Sequence, residues 1–88
     1  MKINLYPTFI KHYRKRIDPN LKLHSKAQER INPFKQDSRN PILKNHQLSG
    51  AKRHLRSFSI TGNFRLTYRQ IDSDEVEFMD IGTHLQVY

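Results

Sequence analysis

Three short apolar segments separated by turn-forming residues lie in the second half of the chain, residues 43–88, and they constrain its fold most strongly. The predicted strands are Leu55–Ile60, Phe64–Ile71 and Glu75–Ile81. The stretches between them, Thr61-Gly62-Asn63 and Asp72-Ser73-Asp74, have the composition of three-residue hairpin loops. Because strands joined by hairpins pair antiparallel, the sequence predicts an antiparallel meander.

Alternating side chains assign the faces of these strands. In the second strand Phe64, Leu66 and Tyr68 share one face, and the other face carries Arg65, Thr67 and Arg69. The third strand is apolar on both faces, with Val76 and Phe78 on one and Met79 and Ile81 on the other. That pattern is typical of a central strand. Residues Leu85–Tyr88 are predicted to add a short final strand.

The first half of the chain has the patterns of one strand and two helices. Residues Lys2–Tyr6 alternate as in a strand, which Pro7 ends. A helix is predicted over Thr8–Ile17, and a second over Pro19–Phe34 with Asp18 as its cap and Pro33 near its end. Their apolar stripes are Phe9, Tyr13 and Ile17 in the first helix and Leu23, Ala27, Ile31 and Phe34 in the second. The short linker predicts that the helices pack as an antiparallel hairpin.

These elements predict an α+β fold, in which an N-terminal strand and a two-helix hairpin pack on a small, mainly antiparallel twisted sheet. With 88 residues the chain is expected to form one domain, residues 1–88. No apolar run approaches the roughly 18 residues that a membrane span needs. The N-terminus lacks the apolar block of a signal peptide, so a cytoplasmic protein with no membrane partner is expected.

The charge of the chain points to a polyanionic partner. Sixteen Lys and Arg residues against eight Asp and Glu residues give a net charge of +8. Five of the eight acidic residues lie in the segment 72–80, so the remaining surface carries a positive field. Nucleic acid, an acidic protein and a membrane surface are the candidate partners, and a solvated surface with no partner is the alternative. Lys and Arg contacts to phosphate supply most sequence-independent nucleic-acid affinity.

Several kinds of site are excluded by what the sequence lacks. Without cysteine there are no disulfides and no thiolate zinc sites. The spacing of His12, His24 and His54 fits no metal motif, and these residues are assigned to the surface or to sheet packing. Three glycines do not make a phosphate-binding loop, and no serine lies in a nucleophile elbow. The sequence therefore predicts neither a metal ion nor a cofactor.

His46 and His84 are the strongest candidates for chemistry. Imidazole suits general acid–base catalysis near neutral pH. Cleavage of RNA by its own 2′-hydroxyl requires a base for that hydroxyl, an acid for the leaving 5′-oxygen, and a cation for the charged transition state. A His, an Arg and a Tyr on one sheet face would meet these needs, and Arg65, His84 and Tyr88 are the residues placed to do so. For either histidine alone, a hydrogen-bonded surface side chain is the alternative.

The residues just described belong to a longer pattern that resembles the RelE/ParE toxin superfamily, most closely its YafQ-like branch of mRNA interferases. The resemblance covers nearly the whole chain, and the order of predicted strands and helices agrees with it. Its most specific part is a set of three segments and a terminal tyrosine: His46-Gln47-Leu48-Ser49-Gly50, then Ile60-Thr61-Gly62-Asn63-Phe64-Arg65-Leu66-Thr67-Tyr68-Arg69, then Ile81-Gly82-Thr83-His84, and Tyr88.

The resemblance implies the toxin of a type II toxin–antitoxin pair. Such toxins are endoribonucleases that cut mRNA in the ribosomal A site without a metal, by 2′-hydroxyl attack that leaves a cyclic phosphate. By position, His46 matches a candidate acid or base, and Arg65 matches a phosphate stabiliser. His84 matches the general acid, and Tyr88 matches an aromatic residue that stacks on a base or helps activate the hydroxyl. Candidate substrate-binding residues are Phe64, Lys52, Arg53, Arg56 and Arg69.

The implied partners are mRNA, the ribosome and a cognate antitoxin, and the resemblance allows a heterotetramer with that antitoxin. Two departures from the YafQ-like branch bear on the chemistry. That branch has a His where this chain has Ser59, and Asp-Trp where this chain has Asn63-Phe64. The acid that could serve as a base is therefore absent. Either His46 and His84 divide the proton transfers, or the ribosome assists.

Two functions from other classes are the alternatives. A ParE-like inhibitor of DNA gyrase would have the same fold and would need no catalytic histidines. A non-catalytic module that binds RNA or the ribosome would fit the charge equally well, but it gives no reason for the grouping of His46, Arg65, His84 and Tyr88.

Overall fold

Five strands form one sheet, with two helices packed on one of its faces, in a computed structural model that describes all residues, Met1–Tyr88. The strands are β1 (Lys2–Leu5), β2 (His46–Gln47), β3 (Arg56–Ser59), β4 (Phe64–Asp72) and β5 (Glu75–Thr83). The helices are α1 (Pro7–His12), which continues as a π-helical turn (Tyr13–Ile17), α2 (Leu21–Gln36) and α3 (His84–Val87). Two 3₁₀ turns, Pro41–Leu43 and Gly50–Lys52, flank β2. The predicted α+β architecture is confirmed.

The sheet has the order β1-β5-β4-β3-β2. All neighbouring strands pair antiparallel except β1, which runs parallel to β5. Strand β5 therefore has a neighbour on each side, as expected for a strand with apolar residues on both faces. The first hairpin loop is Thr61-Gly62-Asn63 with Ile60, while the second is only Ser73-Asp74, because Asp72 still pairs with Glu75.

A bulge in β5 corrects the predicted assignment of its faces. Thr67 pairs with Asp80 and Tyr68 pairs with Phe78, so Met79 is an extra residue without a partner in β4. An extra residue reverses the alternation beyond it. Ile81 is consequently fully buried in the same core as Phe78, and the prediction that it faces away from Phe78 is wrong.

The predicted final strand at Leu85–Tyr88 is also wrong, because these residues lie in α3 and at its C-terminal end. A reciprocal capping box begins this helix: the Thr83 side chain accepts from the backbone of Gln86, whose side chain accepts from Thr83 N at 2.8 Å. The backbone N–H of His84 donates to Asn63 O at 3.1 Å and closes the β4–β5 ladder. The chain then turns back over the sheet.

The caps and ends of α2 differ from those predicted. Asn20, and not Asp18, caps this helix, because its side-chain oxygen accepts from Leu23 N at 3.1 Å. The Asp18 carboxylate lies instead 3.5 Å from His24 Nδ1. The helix continues past Pro33 to Gln36, and Asp37 N donates back to Pro33 O. None of the helices has the length and apolar character needed to span a bilayer.

The core fills the space between the helices and one face of the sheet. Thirteen buried residues form it, and the predicted helix stripes supply Phe9, Ile17, Ala27, Ile31 and Phe34. The ring of Phe34 stacks on Phe58 with centroids 4.6 Å apart and meets Tyr68 edge-on at 4.9 Å. Burying one large apolar side chain contributes about 1.5–3 kcal/mol. This packing fixes which face of the sheet is covered and leaves the opposite face for polar side chains.

Candidate active site

Two rows of polar residues cross the sheet on the face opposite the core. Directly paired residues of antiparallel strands project to the same face, so the register identifies the members of each row. The first row is His46, Ser57, Thr67 and Asp80, and the second row is Ser59, Arg65 and Gly82. Phe58, Leu66 and Ile81 lie between them in sequence and enter the core. The sheet thus brings residues from four strands onto one surface.

Tyr88 connects the first row to α3. Its hydroxyl donates to Ser57 Oγ at 2.6 Å and lies 3.4 Å from His46 Nε2. Its ring meets the ring of His84 edge-on, with centroids 4.3 Å apart. The structure therefore brings together three of the four predicted catalytic residues, His46, His84 and Tyr88, in one contiguous cluster.

The tautomer of His46 follows from its backbone partner. His46 Nδ1 lies 3.0 Å from Lys44 O, which can only accept a hydrogen bond. Nδ1 must therefore carry the proton, and in the neutral ring Nε2 keeps its lone pair. Lys44 has a left-handed backbone conformation with φ of 51°, which directs the chain from the 3₁₀ turn into β2. The exposed His46 Nε2 is thereby available to accept a proton near Tyr88.

Arg65, the fourth predicted catalytic residue, lies in the second row. Its Nη1 donates to Thr61 O at 2.8 Å and to Ser59 Oγ at 3.0 Å. Both acceptors are neutral, so no carboxylate neutralises the charge of the guanidinium. Ser57 and Ser59 are two residues apart on β3, which separates the two rows by roughly 7 Å. A cation without a counter-charge thus lies on the same sheet face as the His46–Tyr88–His84 cluster, one row away.

The predicted substrate-binding residues differ in whether their side chains already make hydrogen bonds or ion pairs within the protein. Lys52 Nζ donates to Val87 O at 2.6 Å, at the C-terminal end of α3. Arg56 Nε donates to the Asn45 side chain, and Arg69 pairs with Glu77 at 3.0 Å. The remaining two have no polar side-chain partner: Phe64 packs against the core, and Arg53 is exposed. Arg53 is thus the only one of these four cations whose charged group makes no contact within the protein.

The surface around the cluster lacks negative charge. Residues 38–71 contain seven Lys and Arg residues and no Asp or Glu. Asp80 is the one carboxylate in the two rows, and His12 and Arg16 face it. Its Oδ1 lies 2.6 Å from His12 Nδ1 and 3.6 Å from Arg16 Nη1. The face of the sheet that carries both histidines is therefore suited to an anion.

A cavity of about 310 Å³ lies beside the cluster. Its lining is formed by Leu48, Ser49, Ala51, Lys52 and Tyr88. One wall is thus the aromatic ring that also contacts both histidines, and another carries the Lys52 side chain. An aromatic wall and a cation suit a planar base that is attached to a phosphate.

Several residues of the site were missed by sequence reasoning. Ser57 orients the Tyr88 hydroxyl, Lys44 sets the tautomer of His46, and Arg16 reaches the second row above Gly82. The only sequence signal for Ser57 was that it is a polar residue alternating with core residues in a predicted strand. The roles of Lys44 and Arg16 depend on a backbone conformation and on strand register, for which the sequence has no local signal.

Several solved structures of bacterial proteins share this fold. A copper-bound mutant toxin from Helicobacter pylori matches with a TM-score of 0.75 and 25% identity, over 100% of this chain and 99% of that chain. YafQ from E. coli strain BL21(DE3) matches with a TM-score of 0.78 and 16% identity, over 99% of this chain and 97% of that one. A YoeB–YefM complex from Staphylococcus aureus matches with a TM-score of 0.76 and 20% identity, over 96% and 97%.

These similarities come from comparison with solved structures. No protein-family model matches the chain, and no curated protein sequence matches it. The structural matches nevertheless extend over almost the entire length of both chains, and they include toxins from more than one branch. The chain therefore has the fold of the RelE/ParE toxin superfamily.

Proposed function

We propose that this protein is the toxin of a type II toxin–antitoxin pair and a metal-independent endoribonuclease that cuts mRNA in the ribosomal A site. One observation carries the proposal: His46, Tyr88 and His84 form a contiguous cluster on the sheet face that also carries Arg65, whose charge no carboxylate neutralises. A base, an acid and a cation are the groups that cleavage by a 2′-hydroxyl requires.

The cleavage reaction assigns a task to each of these residues. His46 Nε2 takes the proton from the 2′-hydroxyl, whose oxygen then forms a bond to the adjacent phosphorus. Arg65 stabilises the negative charge on the phosphoryl oxygens. His84, in its protonated form, donates a proton to the 5′-oxygen as the bond from phosphorus to that oxygen breaks. The products are a 2′,3′-cyclic phosphate and a free 5′-hydroxyl.

Tyr88 supports this reaction in two ways. Its hydroxyl is held by Ser57, and its ring packs edge-on against His46 with centroids 6.2 Å apart, so the ring limits the orientations of the proposed base. Its ring forms a wall of the cavity beside the site, where a base of the mRNA can stack. The exposed Arg53 and the Lys52 ammonium, which has two donors left beside its bond to Val87 O, are suited to contact the flanking phosphates.

A cognate antitoxin is the proposed protein partner. YafQ has been crystallised with DinJ in a toxin–antitoxin complex, and YoeB with YefM. This chain carries a net charge of +8, so we expect an acidic, amphipathic partner segment. An apolar groove of about 430 Å³ between β1, α1 and α2, rimmed by Arg14 and Lys35, offers that segment a place to bind. Binding to the folded state would also stabilise so small a domain.

The test is to induce the protein in cells and to map the 5′ ends of cellular mRNA by primer extension. In-frame cleavage should appear with the wild-type chain and disappear with His84→Ala and with Arg65→Ala. His54→Ala and Arg39→Ala are matched controls, because both side chains are exposed and make no polar side-chain contact. Both controls should cleave normally.

Other outcomes identify the alternative functions. Growth arrest with DNA damage and intact mRNA would show a gyrase inhibitor and overturn the proposal. Arrest of translation with intact mRNA that persists in His84→Ala would show a non-catalytic ribosome-binding module. The histidine cluster distinguishes the nuclease from both, because neither alternative needs it.

A further inference from the structure

We infer that Arg16 is a positioning residue that holds α3 against β5 and thereby sets the placement of His84 and Tyr88. This inference rests on the proposed function for its catalytic consequence and on geometry for the rest. Arg16 belongs to the π-helical turn at the end of α1 and lies far from His46 and His84 in sequence. Its side chain is nevertheless only 20% exposed and reaches the sheet face that carries them.

Arg16 is anchored to an unpaired edge of β5. Strand β1 pairs with β5 only up to Phe78, so the backbone of β5 beyond the bulge has no strand on that side. Arg16 Nη1 donates to the carbonyl of Ile81 at 3.0 Å. It also lies 3.6 Å from Asp80, whose carboxylate His12 holds at 2.6 Å. One guanidinium thus occupies the edge position that a neighbouring strand would otherwise fill.

Gly82 lets Arg16 and α3 meet on the sheet. A Cβ atom at Gly82 would lie 2.6 Å from Arg16 Nη1 and 2.6 Å from Gln86 Oε1, so a side chain there would displace the ends of both of these side chains. The guanidinium and the Gln86 side chain therefore lie side by side above the bare backbone of Gly82. Gln86 Oε1 also accepts from Thr83 N and so caps α3.

The length of α3 makes its placement depend on such contacts. It has four residues, too few to persist without tertiary packing. Its C-terminal end is held by Lys52 at Val87 O and by the Tyr88 bond to Ser57. Its N-terminal end, which carries His84, rests on the Gly82 backbone beside Arg16. Loss of the guanidinium would leave that end held only by the His84 N–H bond to Asn63 O and by the capping box, and would let the His84 ring move away from Tyr88.

The π-helical turn explains how the side chain reaches this position. Asp18 N donates to Tyr13 O, five residues earlier, so the last turn is wider than an α-helical one. Ile17 remains fully buried in the core while its neighbour Arg16 points to the edge of β5. Turns of this kind occur frequently at functional sites.

The test combines RNA cleavage with an NMR measurement on the free protein. The ring of Tyr88 should shift the imidazole proton resonances of His84, because the centroids are 4.3 Å apart. Arg16→Gln should abolish this shift and lower kcat about tenfold, while KM changes less than about threefold, because misplacement acts on the reaction rather than on binding. Gly82→Ala should have the same effects. Arg16→Lys should recover part of both, since one ammonium donor can reach Ile81 O.

Lys15→Gln is the matched control, because it removes the same charge from the same turn and Lys15 is exposed. It should leave both the His84 shift and kcat unchanged. An unchanged His84 shift in Arg16→Gln would overturn the inference. A rise in KM with an unchanged His84 shift would show instead that Arg16 contacts the RNA. If the wild-type protein cleaves no RNA, the proposed function fails, and the His84 shift still decides the role of Arg16.

Discussion

At the scale of single residues, the site depends on one hydroxyl group. Tyr88 donates to Ser57 Oγ at 2.6 Å, and Ser57 is fully buried with no other hydrogen-bond partner for its side chain. His46, His84, Arg65 and Tyr88 were selected from residue type and from the resemblance to the toxin superfamily, and their catalytic roles stay a prediction. Ser57 could not be predicted, because a serine between core residues has no signature until strand pairing places it beneath Tyr88.

Replacing Tyr88 by phenylalanine tests this hydroxyl. The buried Ser57 oxygen would lose its partner, so the free energy of unfolding should fall by about 1–3 kcal/mol. RNA cleavage should fall as well, because the ring loses the bond to Ser57 that fixes its position beside His46 and His84. Urea unfolding measures the first effect. Tyr6→Phe is the control, since that exposed hydroxyl makes no side-chain hydrogen bond, and equal stability of the two variants would contradict the role given to Ser57.

At the scale of elements, the periodicity of apolar residues predicted which helices and strands exist better than it predicted where they begin and end. The apolar stripes of the two helices and the three strands β3, β4 and β5 follow from the spacing of apolar residues, and they are confirmed. The bulge at Met79 and the helix α3 were missed, because both depend on how β4 pairs with β5 and on contacts that residues 84–88 make with the sheet. The cap of α2 was misplaced by two residues, since Asp18 and Asn20 are equally suitable caps in a sequence.

Two alanine substitutions distinguish the two caps. Asn20→Ala removes the acceptor of the Leu23 N–H and should lower the free energy of unfolding by about 1 kcal/mol. Asp18→Ala removes only an exposed contact to His24 and should cost less than about 0.5 kcal/mol. Thermal or urea unfolding of both variants measures the difference. A larger loss for Asp18→Ala would contradict the capping geometry.

Tyr13, the first residue of the π-helical turn, predicts how stability depends on alkaline pH. Burial raises the pKa of its phenol above 10.0; a hydrogen bond from Gln28 opposes this and Asp18 adds to it. Since the folded state favours the protonated phenol, its contribution to stability is complete below the unfolded pKa and is lost as the pH rises through the folded pKa.

The comparison of Tyr13→Phe with the wild-type chain isolates this contribution. Between about pH 9 and about pH 11 the variant should lose less free energy of unfolding than the wild type does. Urea unfolding across this range provides the measurement. The same pH dependence in both proteins would show that the phenol is equally easy to ionise in the folded and unfolded states.

At the scale of the whole molecule, strand order and charge create the site. Its residues come from β2, β3, β4 and the C-terminal end, and only the order β5-β4-β3-β2 puts them on one surface. Residue patterns predicted the strands. The convergence of the site residues on one surface could be inferred only from the strand register and from the resemblance to the toxin fold. The charge imbalance was readable from composition, whereas the position of Arg65 on the same face as the histidine cluster was not.

The salt dependence of RNA binding tests the assignment of that charged face. In the background of His84→Ala, which should prevent cleavage, Arg53→Gln should lower the slope of log affinity against log salt by about 0.7. Lys11→Gln removes an equal charge from an exposed position on α1 and should leave the slope unchanged. Equal effects of the two substitutions would show that RNA binds without preference for the histidine face.

The most direct measurement of the central claim is the chemistry of the RNA ends. Purified protein is mixed with ribosomes that carry a defined mRNA in the A site, and the products are analysed by end-specific enzymatic labelling. The proposed mechanism predicts a 2′,3′-cyclic phosphate on the upstream fragment and a 5′-hydroxyl on the downstream fragment, with neither formed by Arg65→Ala or His84→Ala. A 3′-hydroxyl end, or an uncut mRNA under these conditions, would contradict it.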